Sequence, residues 1–203
     1  METKTSASIT DHIINGLNKA VTEIEEFRVQ AALGKAEAEQ AFEELKKKLH
    51  AKIHEAKVQY ENLKNRTDFL EVINAFEYLQ VQLALGMAES QESFEEQKKK
   101  ISAAMSQLES SVRQKALSNE HFINFRMELE KFKVKLELLA LHYKLKKVTV
   151  QFDLENKKDQ LREKIKSLRT QFAEKESRMK NKWEEFSEDI GDAFSQLKSS
   201  FIK

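Results

Sequence analysis

Twenty residues of this chain are written twice. VQAALGKAEAEQAFEELKKK begins at Val29 and VQLALGMAESQESFEEQKKK at Val81, identical at thirteen positions and offset by 52 residues. A weaker third copy follows. ELEKFKVKLELL from Glu128 resembles EIEEFRVQAAL from Glu23 at an offset of 105, and FDLENKK from Phe152 resembles FEELKKK from Phe42 at an offset of 110, so this copy carries five extra residues. Self-similarity at a fixed period means that one structural unit recurs and that the fold is a stack of its copies.

The unit is helical. In the first copy Ile13, Leu17, Ala20, Ile24, Phe27, Ala31, Gly34, Ala38, Ala41 and Leu45 recur at spacings of four and three, the seam by which helices pair. Leu49, Ile53, Ala56, Tyr60 and Leu63 continue it after one extra residue. The second copy carries Phe69, Ile73, Phe76, Leu83, Met87, Phe94, Ile101 and Leu108. A chain of 203 residues with no proline and four glycines lacks the usual punctuation of a loop-rich fold.

Helix starts are expected where a side-chain oxygen can accept the unpaired N–H groups of a first turn. Ser8 with Asp11, or Thr10, serves the first helix, Asp68 with Glu71 has capping-box spacing, and Ser118 or Asn119 starts the third segment. The expected architecture is all-α: an elongated, coiled-coil-like antiparallel bundle of three long helices. They span 9–65, 68–117 and 119–175, behind a tail of residues 1–8. A repeat of this length makes a helix of roughly 75 Å. Residues 176–203 form an amphipathic helix that either continues the third helix or folds back as a fourth.

FKVKLEL, VTVQFDL, EFRVQA and YLQVQLAL alternate apolar and polar residues as strands do. No glycine or proline turn separates them. In a helix the same pattern sets apolar residues on two faces, as a helix covered on both sides requires.

Within the repeat, Gly34 and Gly86 are expected mid-helix, where glycine costs about 1 kcal/mol relative to alanine and close helix contact would offset it. In FEE-x-KKK, Glu43 precedes Lys47, Glu44 precedes Lys48, Glu95 precedes Lys99 and Glu96 precedes Lys100, each by four residues. That order supports a solvated helix face by about 0.2–0.5 kcal/mol per pair.

Glu37 and Glu89 are equivalent in the two copies, and the third places His142 there. Three such ligands on three helices frame a metal hypothesis. Carboxylate-bridged sites use Glu-x-x-His on one helix, and none of the five histidines has a carboxylate three residues before it. His50 and His54 are one turn apart, without the HExxH context of a zinc enzyme. Neither metal, cofactor nor catalytic residue is expected, unless Glu37 and Glu89 turn into the bundle.

The absence of cysteine removes thiolate chemistry. A net charge of +1 lacks the basic excess of a nucleic-acid binder. METKTSAS has no apolar signal core, and no apolar run reaches membrane-spanning length. A cytoplasmic protein is expected. Near the end, Trp183, Phe186, Ile190, Phe194, Leu197 and Phe201 share one helix face opposite Glu184, Glu185, Glu188, Asp189 and Asp192. That face suits packing on the bundle, on a second subunit or on a membrane surface, although interfacial helices usually carry Lys and Arg on the polar side.

LGKAEAEQAFEELKKKL, its copy LGMAESQESFEEQKKKI and the ending KWEEFSEDIGDAFSQLKSSF resemble a group of bacterial long-helix coiled-coil proteins, apolipoprotein-like in their repeats and linked to stress responses. The resemblance implies a cytoplasmic helical protein with no assigned reaction, and it transfers no catalytic residue. The functional expectation is a non-enzymatic coiled-coil protein acting by self-assembly or by binding a helical partner. A homodimer would cover the apolar surface of so narrow a bundle. The alternatives are a membrane-surface lipid binder and, more weakly, a carboxylate/His metal protein.

Overall fold

A computed structural model describes residues 9–31, 35–61, 70–114, 120–144, 154–176 and 183–201. Seven helices occur among them: α1 Ile9–Ala31, α2 Lys35–Glu61, α3 Leu70–Leu83, α4 Gln91–Gln114, α5 Glu120–Lys144, α6 Leu154–Glu176 and α7 Trp183–Phe201. The described residues contain no strand. FKVKLEL lies in α5, and residues 148–153 of VTVQFDL lie outside the described residues, as do the expected caps Ser8, Asp68, Ser118 and Asn119 and the tail 1–8.

α5 is the axis of the fold. It packs against α1, α2, α4 and α7, and Ile123, Phe125, Met127, Leu129, Phe132, Val134, Leu136, Leu138, Leu139 and Ala140 are all buried. These residues reach round the helix, so the alternating pattern reports a helix enclosed on several sides.

Side-chain pairs set the helix directions. His12 meets Asn124, Glu23 meets Lys131 and Phe27 lies under Lys135, so α1 runs parallel to α5. Glu43, Lys48 and Lys52 lie near Tyr143, Lys135 and Glu128, so α2 runs antiparallel to α5. Lys46 reaches Leu85 and Lys57 reaches Glu77, which sets α3 antiparallel to α2. Lys98 meets Glu137 and Glu109 meets Lys133, which reverses α4 against α5.

Three continuous helices are therefore not what the chain forms. The expected helix 9–65 is the antiparallel pair α1 and α2, and the expected helix 68–117 is the pair α3 and α4, joined by residues 84–90. The third span is divided into α5 and α6, and α6 packs against α1 and α7. α7 folds back onto α5 and α6, with the Lys164 ammonium donating to the Ser200 hydroxyl at 3.3 Å. Each clear copy of the repeat thus holds the end of one helix and the start of the next.

The physical reason for the second break is local. Gly86 is exposed, and a Cβ there would meet nothing within 4 Å, so close helix contact does not explain it. Gly34 lies outside the described residues. α4 starts at a reciprocal cap: the Ser93 N–H donates to the Ser90 hydroxyl and the Ser90 N–H to the Ser93 hydroxyl, each at 3.1 Å. The first copy has Ala38 and Ala41 at these positions, both buried inside α2. Alanine favours helix interior and serine the cap, so α2 starts at Lys35 and α4 only at Gln91.

Candidate functional site

The two copies meet at their phenylalanines. The Phe42 and Phe94 rings are fully buried, 5.0 Å apart and edge to face, and Tyr143 of α5 stacks on Phe94 at 4.2 Å. Such pairs add about 0.5–1.5 kcal/mol beyond their area burial. The Tyr143 hydroxyl donates to the Ala88 carbonyl at 3.2 Å. Burial, with the Glu39 and Glu43 carboxylates nearby, pushes the Tyr143 phenol up to about 12.

Beside this cluster lies a buried lysine. Lys46 is 1% exposed. Its ammonium pairs with Glu43 at 2.7 Å and donates to the Leu85 carbonyl at 2.7 Å, the Gly86 carbonyl at 3.2 Å and the Gln97 amide oxygen at 3.2 Å. Gln97 donates in turn to Gly86 O at 2.7 Å. A buried ammonium is costly unless several acceptors satisfy it. Here they do, and the charge also sits at the carbonyl end of α3, where a cation is favoured.

The sequence reading missed this residue by taking KKK as outer face. The signal is in the spacing. Phe42, Lys46, Leu49, Ile53, Ala56 and Tyr60 recur at four, three, four, three and four, and all are buried. Counting Lys46, the seam of α2 alternates four and three from Phe42 to Tyr60 without a slip. Of the expected outer pairs, Glu96–Lys100 forms at 2.6 Å, while Glu43 turns to Lys46.

Two ionic clusters tie α5 to its neighbours. Arg126 and Lys133 both bind Glu109 of α4 and Glu130 of α5. Lys131 joins Glu23 of α1 at 2.7 Å and Glu128 at 2.8 Å. Burial would raise the Glu23 carboxyl, but the Lys131 hydrogen bond and the Lys131 and Lys135 charges hold it below the ordinary value. Burial pushes the Lys135 ammonium down. A cleft of about 280 Å³ between α1 and α5 is lined by His12, Asn15, Lys19, Asn124 and Lys131, with Lys131 already engaged by the two glutamates.

Glu37 is exposed in the first turn of α2, and Glu89 is exposed between α3 and α4. The His142 side chain lies outside the described residues. His50 and His54 are exposed, and no group of three or more His, Asp or Glu among the described residues is placed to hold a metal ion. Ile190, Phe194, Leu197 and Phe201 are buried where α7 meets α5 and α6. In this arrangement they are interior side chains rather than a presented surface. The side chains of Trp183 and Phe186 lie outside the described residues.

The exposed apolar surface lies elsewhere. α3 buries Val72, Ala75, Phe76, Leu79 and Leu83 on α2 and α4. Its opposite face presents Leu70 at 60% exposure, Tyr78 at 44% and Val81 at 60%, and Met87 follows at 56%. Leu70, Asn74, Tyr78 and Val81 stand at spacings of four, four and three, along one side of the helix. Among the described residues no helix is long and apolar enough to cross a membrane. No protein-family model, curated protein or solved structure matches the chain.

Proposed function

We propose that this chain is a non-enzymatic helical protein that works by contact between helices, through self-assembly as a homodimer or by binding a helical partner, in the coiled-coil manner expected from its seams. The observation that carries this reading is the outward face of α3. Leu70, Tyr78 and Val81 are each more than two-fifths exposed on a helix whose other face is fully packed. An apolar stripe with spacings near a heptad is what a second helix packs on. The polar groups of the interior are arranged for support: Lys46 ties α2 to the connection between α3 and α4, and the Arg126 and Lys131 clusters bridge helices. Burial of Ile190, Phe194, Leu197 and Phe201 inside the fold favours a protein partner over a lipid surface. A cytoplasmic setting and a role under stress belong to the same proposal.

Light scattering tests it. The chain at 23.7 kDa is expected to show twice its mass, and Tyr78→Glu with Val81→Glu to return it to a single chain with unchanged helix content. An associated state that survives both substitutions would remove the α3 face from the account.

A further inference from the structure

Charge in this chain is balanced in total and segregated along the sequence. From Thr67 to Gln97 there are seven Asp or Glu and no Lys, Arg or His. From Lys144 to Lys182 there are thirteen Lys or Arg against six Asp or Glu, a net of +7. Within these segments α3 itself carries two Glu and no basic residue, and α6 carries seven Lys or Arg against five Asp or Glu, a net of +2. α3 packs on α2 and α4, and α6 on α1 and α7, so the two lie on different parts of the fold.

The exposed faces are complementary in kind as well as in sign. α3 presents Leu70, Tyr78 and Val81 with Glu71 and Glu77 beside them. α6 buries Ile165, Leu168 and Phe172 and presents Arg162, Lys164, Lys166 and Arg169. The ion pairs on that face, Lys166–Glu163 at 2.5 Å and Arg169–Asp11 at 2.7 Å, are exposed and contribute little. Glu77 is likewise paired with Lys57 at its own exposed surface.

We infer that the partner of the α3 face is the α6 face of a second copy of this chain. The inference rests on the proposed helix-contact function and names its partner. Aliphatic stems of Arg162 and Lys166 lie over Leu70 and Val81 while their charged ends reach Glu71 and Glu77. A guanidinium can also cover the Tyr78 ring. Two copies related by a two-fold axis make the contact twice, each giving α6 and receiving on α3, and so close as a dimer.

The test is a charge swap read by light scattering and sedimentation on the full chain. Association should weaken at least tenfold when salt rises from about 50 mM to about 300 mM, since exposed charges are screened over that range. Arg162→Glu with Lys166→Glu should weaken it at least tenfold, and so should Glu71→Lys with Glu77→Lys. The chain carrying all four changes should regain the original affinity within about threefold, since like-charge juxtaposition is what each reversal introduces. Helix content by circular dichroism should be the same in every variant.

Reversals without effect, or a four-fold variant that stays dissociated, would overturn the pairing. A single-chain mass for the unmodified protein at low salt overturns it too. Flotation of the single chain with vesicles of equal anionic and zwitterionic phospholipid, abolished by the α6 reversal, would assign α6 to membranes and overturn it. If Tyr78→Glu disperses the protein and the charge reversals do not, this pairing fails while the α3 reading stands. If neither disperses it, both fail.

Discussion

Phe42 and Phe94 occupy the same position in the two copies of the repeat and lie against each other, ring edge to ring face, at 5.0 Å. The duplication thus places its own copies in contact, and Tyr143 from the third segment closes the cluster. Phe42→Leu and Phe94→Leu are expected to couple by about 0.5–1.5 kcal/mol in a double-mutant cycle. Phe94→Ala alone should cost about 3–5 kcal/mol, with Phe94 fully buried between two rings. Urea unfolding measures both, and strictly additive single effects would show that the rings do not interact.

Lys46 and Lys98 are also equivalent by the 52-residue offset, yet they have different work. Lys46 holds the connection between α3 and α4 from within the fold, while Lys98 reaches Glu137 near the surface at 2.9 Å. Lys46→Met should destabilise by about 3 kcal/mol, because it leaves the half-buried Glu43 carboxylate and the Leu85 carbonyl without their donor. Lys98→Met should cost less than about 1 kcal/mol. Equal costs would contradict the buried assignment.

These two lysines show how far the sequence could be read. Helix class and the multi-sided burial of FKVKLEL follow from periodicity, because burial against neighbours leaves a regular apolar trace. The turns left no such trace. Ser90 and Ser93 differ from Ala38 and Ala41 by one hydroxyl each, and a glycine alone does not say whether a helix bends, packs closely or stops. Lys46 was hidden for another reason: a charged residue reads as outer face unless the seam spacing is allowed to count it. The α3 face was legible only in part, through the alternation of YLQVQLAL. Which side of it stays exposed depends on α2 and α4, which meet it through distant contacts.

Ser90 caps α4, and the first copy lacks this cap. Ser90→Ala should cost about 1 kcal/mol, the usual value for losing an N-cap hydroxyl. Ala38→Ser, inside α2, should cost about 0.5 kcal/mol through helix propensity, without moving the start of α2. Thermal unfolding followed by circular dichroism reads both, and a neutral Ser90→Ala would place the start of α4 elsewhere.

The Tyr143 phenol is raised by burial to about 12 from an ordinary value of 10.0. The unfolded chain releases this proton first as pH rises, so the stability that Tyr143 contributes is complete below pH 10 and is lost as pH climbs through the folded value. Tyr143→Phe should flatten the loss of stability between about pH 10 and about pH 12. Ultraviolet absorbance of tyrosinate, as the difference between the two proteins, should place this ionisation near the upper end of that range while the fold persists. Ionisation near the ordinary value would mean that the hydroxyl is open to water.

The central claim is that the outward face of α3 is covered when the protein works. Because the chain has no cysteine, Val81→Cys carries a single nitroxide label on that face, and Lys47→Cys, exposed on α2, carries the control. Electron paramagnetic resonance across a dilution series should show the label at residue 81 mobile in dilute protein and immobilised on association, with residue 47 mobile throughout. A label at residue 81 that stays mobile while the mass doubles would contradict the account.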